Sequence, residues 1–131
     1  IHYEACKNIE DSIRKIKKSR MEIGISIKPN TNVKLILPYL ESVDRVLIMT
    51  VEPGFGGQAF NENMVTKIST IKNYLIEKNI NIDIAVDGGI KVENSKKVIG
   101  AGANVLISGT GIFKYDKGVR SAISELRKTN R

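Results

Sequence analysis

The sequence has 131 residues, of which 41% are hydrophobic and 27% charged, and this length and composition fit one globular domain and not two. The lysines and arginines behind the formal net charge of +7 are scattered and accompany no nucleic-acid recognition motif, so we expect no nucleic-acid partner. No apolar run approaches the roughly 20 residues of a membrane-spanning helix, so we expect no membrane partner. The single cysteine, Cys6, cannot form a disulfide within the chain, which favours a reducing compartment such as the cytoplasm.

Short β-branched runs alternate with amphipathic segments along the chain. A strand at residues 1–5 precedes a helix at about 8–18, and a strand at 22–27 precedes a helix that Thr31 or Asn32 would cap and that ends at Leu40. The remaining pairs are strand 45–51 with helix 62–77, strand 82–86 with helix 92–99, and strand 104–108 with a final helix whose Val119, Ala122, Ile123 and Leu126 face inward. This pattern predicts five consecutive βα units.

The predicted strands are continuous apolar runs, such as Val46 to Met49 and Val105 to Ile107, and not alternations of apolar and polar residues. Burial on both faces is typical of parallel sheets that helices cover. Five βα units fit either an eight-stranded barrel of about 250 residues or an open doubly wound sheet. We favour the barrel, because the last two glycine-rich loops follow the last two strands, where barrel enzymes often bind phosphate.

Glycine-rich loops follow three successive predicted strands. They are Gly54-Phe55-Gly56-Gly57, Asp87-Gly88-Gly89 and Gly109-Thr110-Gly111. Without a Cβ, the backbone N–H groups of such loops can approach an anion closely, and the loops after parallel strands meet at one edge of the sheet. We therefore expect a phosphate cradle, although each loop taken alone is equally typical of a tight turn.

Asp87 ends the fourth apolar run, directly before two of these glycines. A carboxylate at the mouth of a barrel strand can act as a general base, a general acid or a metal ligand, and the alternative is a cap for backbone N–H groups of the turn. Glu4 and Lys28 also end predicted strands and either line the mouth or form surface ion pairs. We expect Met49 in the barrel interior or on an apolar wall, and His2 in a structural role.

Several of these segments resemble ribulose-phosphate 3-epimerases. The most specific matches are Val51 to Phe60, with the sequence VEPGFGGQAF, and Ala85 to Ile90, with the sequence AVDGGI. Further matches in the right order are His2 to Ala5, Ile27 to Pro29, Leu47 to Val51, Ala101 to Asn104 and Ser108 to Thr110. The resemblance implies an α/β fold, a (β/α)8 TIM barrel, in which residues 1–131 supply strands four to eight of a ribulose-phosphate-binding barrel.

The resemblance also implies roles for particular residues. It implies that Asp87 is catalytic and is one ligand of a divalent metal cation, Zn²⁺, Fe²⁺ or Mn²⁺, held by two histidines and two aspartates. The other ligands and a second proton-transferring aspartate would lie outside these 131 residues. The residues implied to bind substrate are Gly54, Phe55, Gly56, Gly57, Asp87, Gly88, Gly89, Gly109 and Thr110, the last standing where family members usually have serine.

The activity that the resemblance implies is that of an isomerase of the pentose phosphate pathway, which interconverts D-ribulose 5-phosphate and D-xylulose 5-phosphate. One carboxylate removes the C3 proton to give an enediolate, and the other returns a proton from the opposite face. The expected partner is a phosphorylated pentulose, and the resemblance leaves a homo-oligomer open. The alternatives are another phosphate-binding barrel enzyme, such as a hexulose-phosphate epimerase, an aldolase or a decarboxylase, for which only Lys28 could form a Schiff base, or a non-catalytic phosphate-binding remnant.

Overall fold

The structure, a computed structural model, describes residues 1–128 and consists of a parallel β-sheet with helices packed against it. Four strands lie side by side in chain order: β1, Gly24–Ile27; β2, Arg45–Met49; β3, Asp83–Asp87; and β4, Val105–Ile107. Each neighbouring pair is parallel. The predicted α/β class and parallel sheet are therefore confirmed, while the last three residues of the predicted domain, 129–131, lie outside the described residues.

Among the described residues, five α-helices accompany the strands, and the alternating pattern predicts all of them except the short helix directly after β4. They are α1, Ile9–Lys18; α2, Met64–Glu77; α3, Val92–Gly100; α4, Thr110–Phe113; and α5, Gly118–Lys128. Helix α1 begins where the Asn8 side chain accepts a hydrogen bond from the Asp11 amide at 2.9 Å, which satisfies one otherwise free N–H of the first turn. None of the helices in the described part of the chain is both long enough and apolar enough to span a membrane.

One face of the sheet forms the main hydrophobic core with the helices. Its strand residues lie in two cross-strand rows and are almost entirely buried, namely Ile25, Val46 and Ile84, then Ile27, Ile48 and Val86. Ile13 of α1 and Ile68 of α2 belong to the same core. Burial of this face accounts for alternate apolar residues in each strand, and the residues between them belong to the opposite face.

The opposite face of the sheet carries two cross-strand rows of side chains, the second of them at the carboxyl ends of the strands. It carries a row of Ser26, Leu47, Ala85 and Val105, and beyond it a row of Met49, Asp87 and Ile107. None of these side chains belongs to the main core, and Ile107 is 42% exposed. Rows of this kind correspond to the layers of side chains inside a (β/α) barrel, so this face is the barrel-interior side.

The first predicted strand is wrong. A 3₁₀ helix occupies Tyr3–Ala5, and a single parallel bridge joins His2 to Ser26 of β1. The ladder does not continue, because the Glu4 side chain accepts the next amide N–H beyond the strand, that of Lys28, at 2.7 Å. A side-chain hydrogen bond thus takes the place of strand pairing.

The predicted α-helix ending at Leu40 is also wrong, since two 3₁₀ helices, Val33–Leu35 and Leu37–Ser42, occupy this segment. The side chain of Asn32 does cap the first of them, at 3.0 Å. Pro38 gives the physical reason for the difference. It has no N–H to donate to the carbonyl four residues earlier, so an α-helical ladder cannot run through it.

The final helix, α5, buries Ala122 and Leu126 as predicted, but the inward placement of Val119 and Ile123 is wrong because they are 41% and 36% exposed. Strand β4 has three residues and is the edge strand, so the described part of the chain gives this side of α5 little to pack on. Ile123 instead lines an open, mostly apolar groove together with Leu106 of β4.

A polypeptide of residues 1–131 alone should self-associate. The sheet has two edges, β1 and β4, and open edges next to apolar grooves favour intermolecular pairing. Size-exclusion chromatography with light scattering should detect species larger than a monomer. Ile123→Lys in the groove should reduce association, whereas Ile76→Lys, at a 65% exposed position on α2, should not. A monodisperse monomer that unfolds cooperatively would contradict this expectation.

Candidate active site

A cavity opens at the carboxyl ends of β2, β3 and β4, between the loops that follow them. The residues that line it are Met49, Val51, Glu52, Pro53, Gly54, Phe55, Gly56, Gly57, Gln58, Asp87, Gly88, Gly89, Ile90, Ile107, Gly109 and Thr110. All nine residues that the sequence singles out for catalysis and substrate binding are in this set. The structure thus brings the three glycine-rich loops together, while the chemical roles of their residues stay predictions.

Thr50 ties the loop after β2 to the end of β3. Its side chain is fully buried, and its amide N–H donates to the carbonyl oxygen of Asp87 at 2.8 Å. Its hydroxyl oxygen lies 3.0 Å from the same carbonyl oxygen and 2.5 Å from that of Gly88. These contacts fix the separation of the two loops, because a buried hydroxyl that lost them would leave unsatisfied polar groups.

The glycine-rich segment after β2 is held in its bend by Gln58. The side-chain amide of Gln58 donates to the carbonyl oxygens of Glu52 at 2.8 Å and Phe55 at 2.9 Å. Both acceptors belong to the loop itself, so the segment between them is closed without any ligand. Phe55 lies at the tip of this loop and is 73% exposed.

Gly88 and Gly89 are required by packing between the loops. Both have positive φ, +125° and +64°. A Cβ on Gly89 would lie 2.5 Å from the amide nitrogen of Phe60, and one on Gly88 would lie 2.8 Å from that of Val51. The fold alone therefore explains these two glycines, whether or not they also contact a substrate.

Gly54, Gly56, Gly57 and Gly109 differ from that pair because they face open space. A Cβ on Gly54, Gly56 or Gly109 would meet no atom within 4 Å, and one on Gly57 would only reach Thr110 at 4.0 Å. Positive φ values of +150° and +82° still favour glycine at 54 and 57, but no such constraint applies at Gly56. Neither packing nor φ requires glycine at position 56, so its expected role in binding a ligand stays a prediction.

Several amide N–H groups around the cavity have no protein acceptor. Within residues 1–128, no hydrogen bond uses the amide N–H of Gly56, Gly57, Gly89 or Gly109. Four free donors from three loops at one cavity form a surface that suits an anion with several oxygens, such as a phosphate group.

Asp87 is the last residue of β3, and its half-buried side chain lines the cavity. In the described part of the chain its carboxylate accepts no hydrogen bond and forms no ion pair, so the alternative role as a turn cap is not observed. Burial without a compensating partner raises the pKa of this carboxyl above its usual value. A carboxylate in this state is a better base than an exposed one, and its oxygens are available to a proton or a cation.

A metal site would need more ligands than residues 1–128 supply. No group of three or more histidine, cysteine, aspartate or glutamate side chains in residues 1–128 could hold a metal ion. Asp87 fits the part of a single oxygen ligand, because its carboxylate is unpaired and accessible from the cavity. Any metal at this position would therefore draw its other ligands from outside the described residues.

The remaining acidic and basic candidates lie away from the cavity. Glu4 and Lys28 do not line it, because the Glu4 carboxylate binds the Lys28 amide and lies 3.3 Å from the Nδ1 atom of His2. Asp83 lies at the other end of β3, where its carboxylate pairs with Arg45 at 2.6 Å. Asp83 and Asp87 are thus not a catalytic pair.

Sequence reasoning did not place six of the lining residues at the site, namely Val51, Glu52, Pro53, Gln58, Ile90 and Ile107. Gln58 directly follows the glycine motif, and this adjacency was the available signal for it. Ile107 ends β4 in the same cross-strand row as Met49, so exact strand register would have been needed to find it. Met49 itself lines the cavity, as predicted for an apolar wall.

Known proteins are similar in sequence to this chain. Residues 1–113 match the model of the ribulose-phosphate 3 epimerase family. The chain is 38% identical over 128 residues to a ribulose-phosphate 3-epimerase of Schizosaccharomyces pombe, covering 98% of this chain and 54% of that protein. It is 39% identical over 129 residues to one of Bacillus subtilis, covering 97% and 58%. With the chloroplastic ribulose-5-phosphate-3-epimerase of Arabidopsis thaliana the identity is 42% over 106 residues, covering 81% and 38%. The chain therefore spans about half the length of the curated relatives it matches.

The raised pKa of Asp87 predicts a gain in stability when its charge is removed. Its protonated form favours the folded state, and that contribution is complete at low pH and is lost as the pH rises through the folded-state pKa. Asp87→Asn in metal-free, full-length protein should therefore raise Tm at pH 7. The gain should vanish under acidic conditions, where Asp87 is protonated.

Asp83→Asn is the matched control for this measurement. Hydrogen bonds from Arg45 and Asn104 lower the pKa of Asp83, so its ionised form favours the folded state. That contribution is present above the unfolded pKa and is lost as the pH falls. Asp83→Asn should thus lower Tm at pH 7, and a fall in Tm for Asp87→Asn as well would contradict the predicted gain and indicate a partner for Asp87 outside residues 1–128.

Substitutions at a packed glycine and at a glycine that faces open space should change the free energy of unfolding by different amounts. Gly89→Ala imposes positive φ on alanine and pushes its Cβ against the Phe60 backbone, so it should lower the free energy of unfolding by about 1–3 kcal/mol. Gly56→Ala meets no atom and should change it by less than about 0.5 kcal/mol. Urea unfolding followed by circular dichroism measures both, and equal losses would remove the distinction.

Proposed function

This chain belongs to the ribulose-phosphate 3-epimerase family, and we propose that the full-length protein interconverts D-ribulose 5-phosphate and D-xylulose 5-phosphate. The observation that carries the proposal is the unpaired, half-buried carboxylate of Asp87 beside free amide N–H groups of three loops. A base next to an anion cradle is what proton transfer on a sugar phosphate requires.

Asp87 acts in this proposal as the carboxylate on one face of the sugar. It accepts the proton from C3, next to the C2 carbonyl, and the electron pair of the broken C–H bond passes into an enediolate. A second acid, outside the described residues, returns a proton to the opposite face, so the configuration at C3 inverts. In the reverse direction Asp87 donates its proton to C3.

In the metal-free site, burial raises the pKa of Asp87 and makes it a stronger base, whereas a bound divalent cation would lower that pKa. An ordinary aspartate, with a pKa of about 3.9, is a weak base for a carbon acid. A divalent cation, Zn²⁺, Fe²⁺ or Mn²⁺, would when bound stabilise the negative charge that develops on the carbonyl oxygen. Asp87 would be one of its ligands.

The phosphate group of the substrate is proposed to bind the amides of Gly56, Gly57, Gly89 and Gly109. Binding a non-reacting phosphate fixes the position of C3 relative to Asp87 and lowers the entropic cost of the reaction. Thr110 lies beside Gly57 and has a hydroxyl that could add a further donor. Gly56→Ala is the variant in which a rise in KM would report on this binding, because its fold should be undisturbed.

The lyase alternatives lack a comparable observation. A Schiff-base lysine must have its amine at the reacting carbon, but Lys28 does not line the cavity. No other lysine in the described part of the chain lines it either. We propose a cytoplasmic enzyme of the pentose phosphate pathway that takes a phosphorylated pentulose and uses neither a nucleic-acid nor a membrane partner, and we leave a homo-oligomer open.

Asp87→Asn in the full-length protein tests the function. Asparagine keeps the size of the side chain but has no exchangeable carboxyl proton, so kcat for epimerisation should fall by roughly 10²–10⁴ even with saturating divalent metal. Asp116→Asn, at an exposed aspartate outside the cavity, is the control and should retain activity.

Solvent-deuterium exchange at C3 separates the outcomes. Near-wild-type epimerisation and exchange in Asp87→Asn would reject the assigned role. Exchange that survives while epimerisation is lost would identify Asp87 as the carboxylate for one face only. An unaltered full-length protein with neither activity, in the presence of each of the three metals, would instead favour the non-catalytic remnant.

A further inference from the structure

A side chain of helix α2, that of Lys67, binds the segment Lys28–Thr31, which follows β1. The Lys67 ammonium donates to the carbonyl oxygens of Lys28 at 3.2 Å, Pro29 at 2.7 Å and Thr31 at 2.6 Å. An ammonium has three N–H groups, so these acceptors use its whole donor capacity. Partial burial lowers the pKa of Lys67, and the charge of Glu4 opposes that effect.

Glu4 holds the same segment from another side. One of its carboxylate oxygens accepts the Lys28 amide at 2.7 Å and the hydroxyl of Thr31, and the other lies 3.3 Å from His2 Nδ1. Burial alone would raise the pKa of Glu4, but these hydrogen bonds together outweigh it and lower the pKa to about 2. Lys67 thus binds the carbonyl groups of the segment, and Glu4 binds its donors.

The segment held in this way touches the cavity loop. The side-chain amide of Asn30 donates to the carboxylate of Glu52 at 3.2 Å. Glu52 lines the cavity, and its carbonyl oxygen accepts the hydrogen bond from Gln58 that closes the glycine-rich loop. A continuous set of polar contacts therefore runs from Lys67 and Glu4, through Asn30, to the loop that contains Gly56 and Gly57.

We propose that Lys67 and Glu4 are positioning residues that hold the Lys28–Thr31 segment against the cavity loop and so set the placement of the anion-binding amides. Neither residue lines the cavity, so their effect on the substrate is transmitted through Asn30 and Glu52. This inference rests on the proposed function for its kinetic test, but its structural test does not depend on it.

A purely structural role for Lys67 would have a different signature. If Lys67 only stabilised the fold, its substitution would lower Tm and leave substrate binding unchanged. A positioning role also changes the loop at Gly56 and Gly57, so it raises KM for the phosphorylated substrate more than it lowers kcat. The Asn30 to Glu52 contact decides between them, because it is exposed and contributes little to folding.

The kinetic test compares Lys67→Met, Asn30→Ala and the double variant in the full-length protein. Methionine keeps the length of the lysine stem without its charge, and Lys72→Met on the same helix, at an exposed position, is the matched control. We expect KM for D-ribulose 5-phosphate to rise about tenfold in Lys67→Met, with kcat within about twofold. The double variant should be little worse than either single one, because both interrupt one set of contacts.

Unchanged KM in both Asn30→Ala and Lys67→Met would overturn the proposal. Lys67 would then be a residue that only stabilises the fold. Should Lys67→Met fail to fold, Asn30→Ala and Glu4→Gln keep the test decisive. Glutamine retains a carbonyl oxygen for the Lys28 amide but loses the charge, so it should raise KM less than Glu4→Ala.

The structural test needs no enzymatic activity. Amide hydrogen exchange and NMR shifts of Gly54 to Gln58 should change in Lys67→Met and Asn30→Ala and stay as in the wild type in Lys72→Met. Titration with inorganic phosphate should give a correspondingly weaker affinity in the first two variants. Unchanged loop amides would overturn the positioning role even if the protein proved to be an epimerase, whereas changed amides in an inactive protein would reject only the proposed function.

Discussion

The hydrogen bonds of Thr50 draw together two loops that are 37 residues apart in the sequence. They leave a separation so small that a Cβ at Gly88 or Gly89 would contact the backbone of the neighbouring loop. Positive φ at both glycines is the conformational consequence, and alanine would be strained there. The third loop is tied in as well, because the Ser108 hydroxyl donates to the carbonyl oxygen of Ile90 at 2.6 Å and Gly109 lines the same cavity.

The same arrangement leaves Asp87 in an energetically unfavourable state. Its carbonyl oxygen is occupied by Thr50, but its carboxylate has no partner among residues 1–128 and is partly removed from water. A fold selected for stability alone would pair such a group or replace it. A reactive side chain that faces a cavity often lowers the stability of the fold. This is a common property of sites that transfer protons or bind ions.

The side chains of Glu4 and Lys67, unlike the carboxylate of Asp87, have hydrogen-bond partners within the described part of the structure. Glu4 and Lys67 satisfy both donors and acceptors of the short segment after β1, and the pKa of Glu4, about 2, reflects how fully its carboxylate is bound. Reactive groups keep a defined geometry only when the surrounding side chains are themselves fixed. The unpaired carboxylate of Asp87 and the hydrogen-bonded side chains of Glu4 and Lys67 can therefore belong to one site.

The sequence by itself determined the α/β class, the parallel sheet, the positions of β2, β3 and α2, and the three glycine-rich loops and Asp87 that line the cavity. The periodicity of buried residues can be recognised within about ten residues of sequence. Glycine motifs after strands are equally short, so both signals can be found without the tertiary structure. Only the tertiary structure decided that residues near Glu4 form a 3₁₀ helix and not a strand, because that depends on a hydrogen bond to Lys28 across 24 residues. It also decided which glycines serve packing and that Asp87 is unpaired, since those properties depend on what a distant loop places beside them.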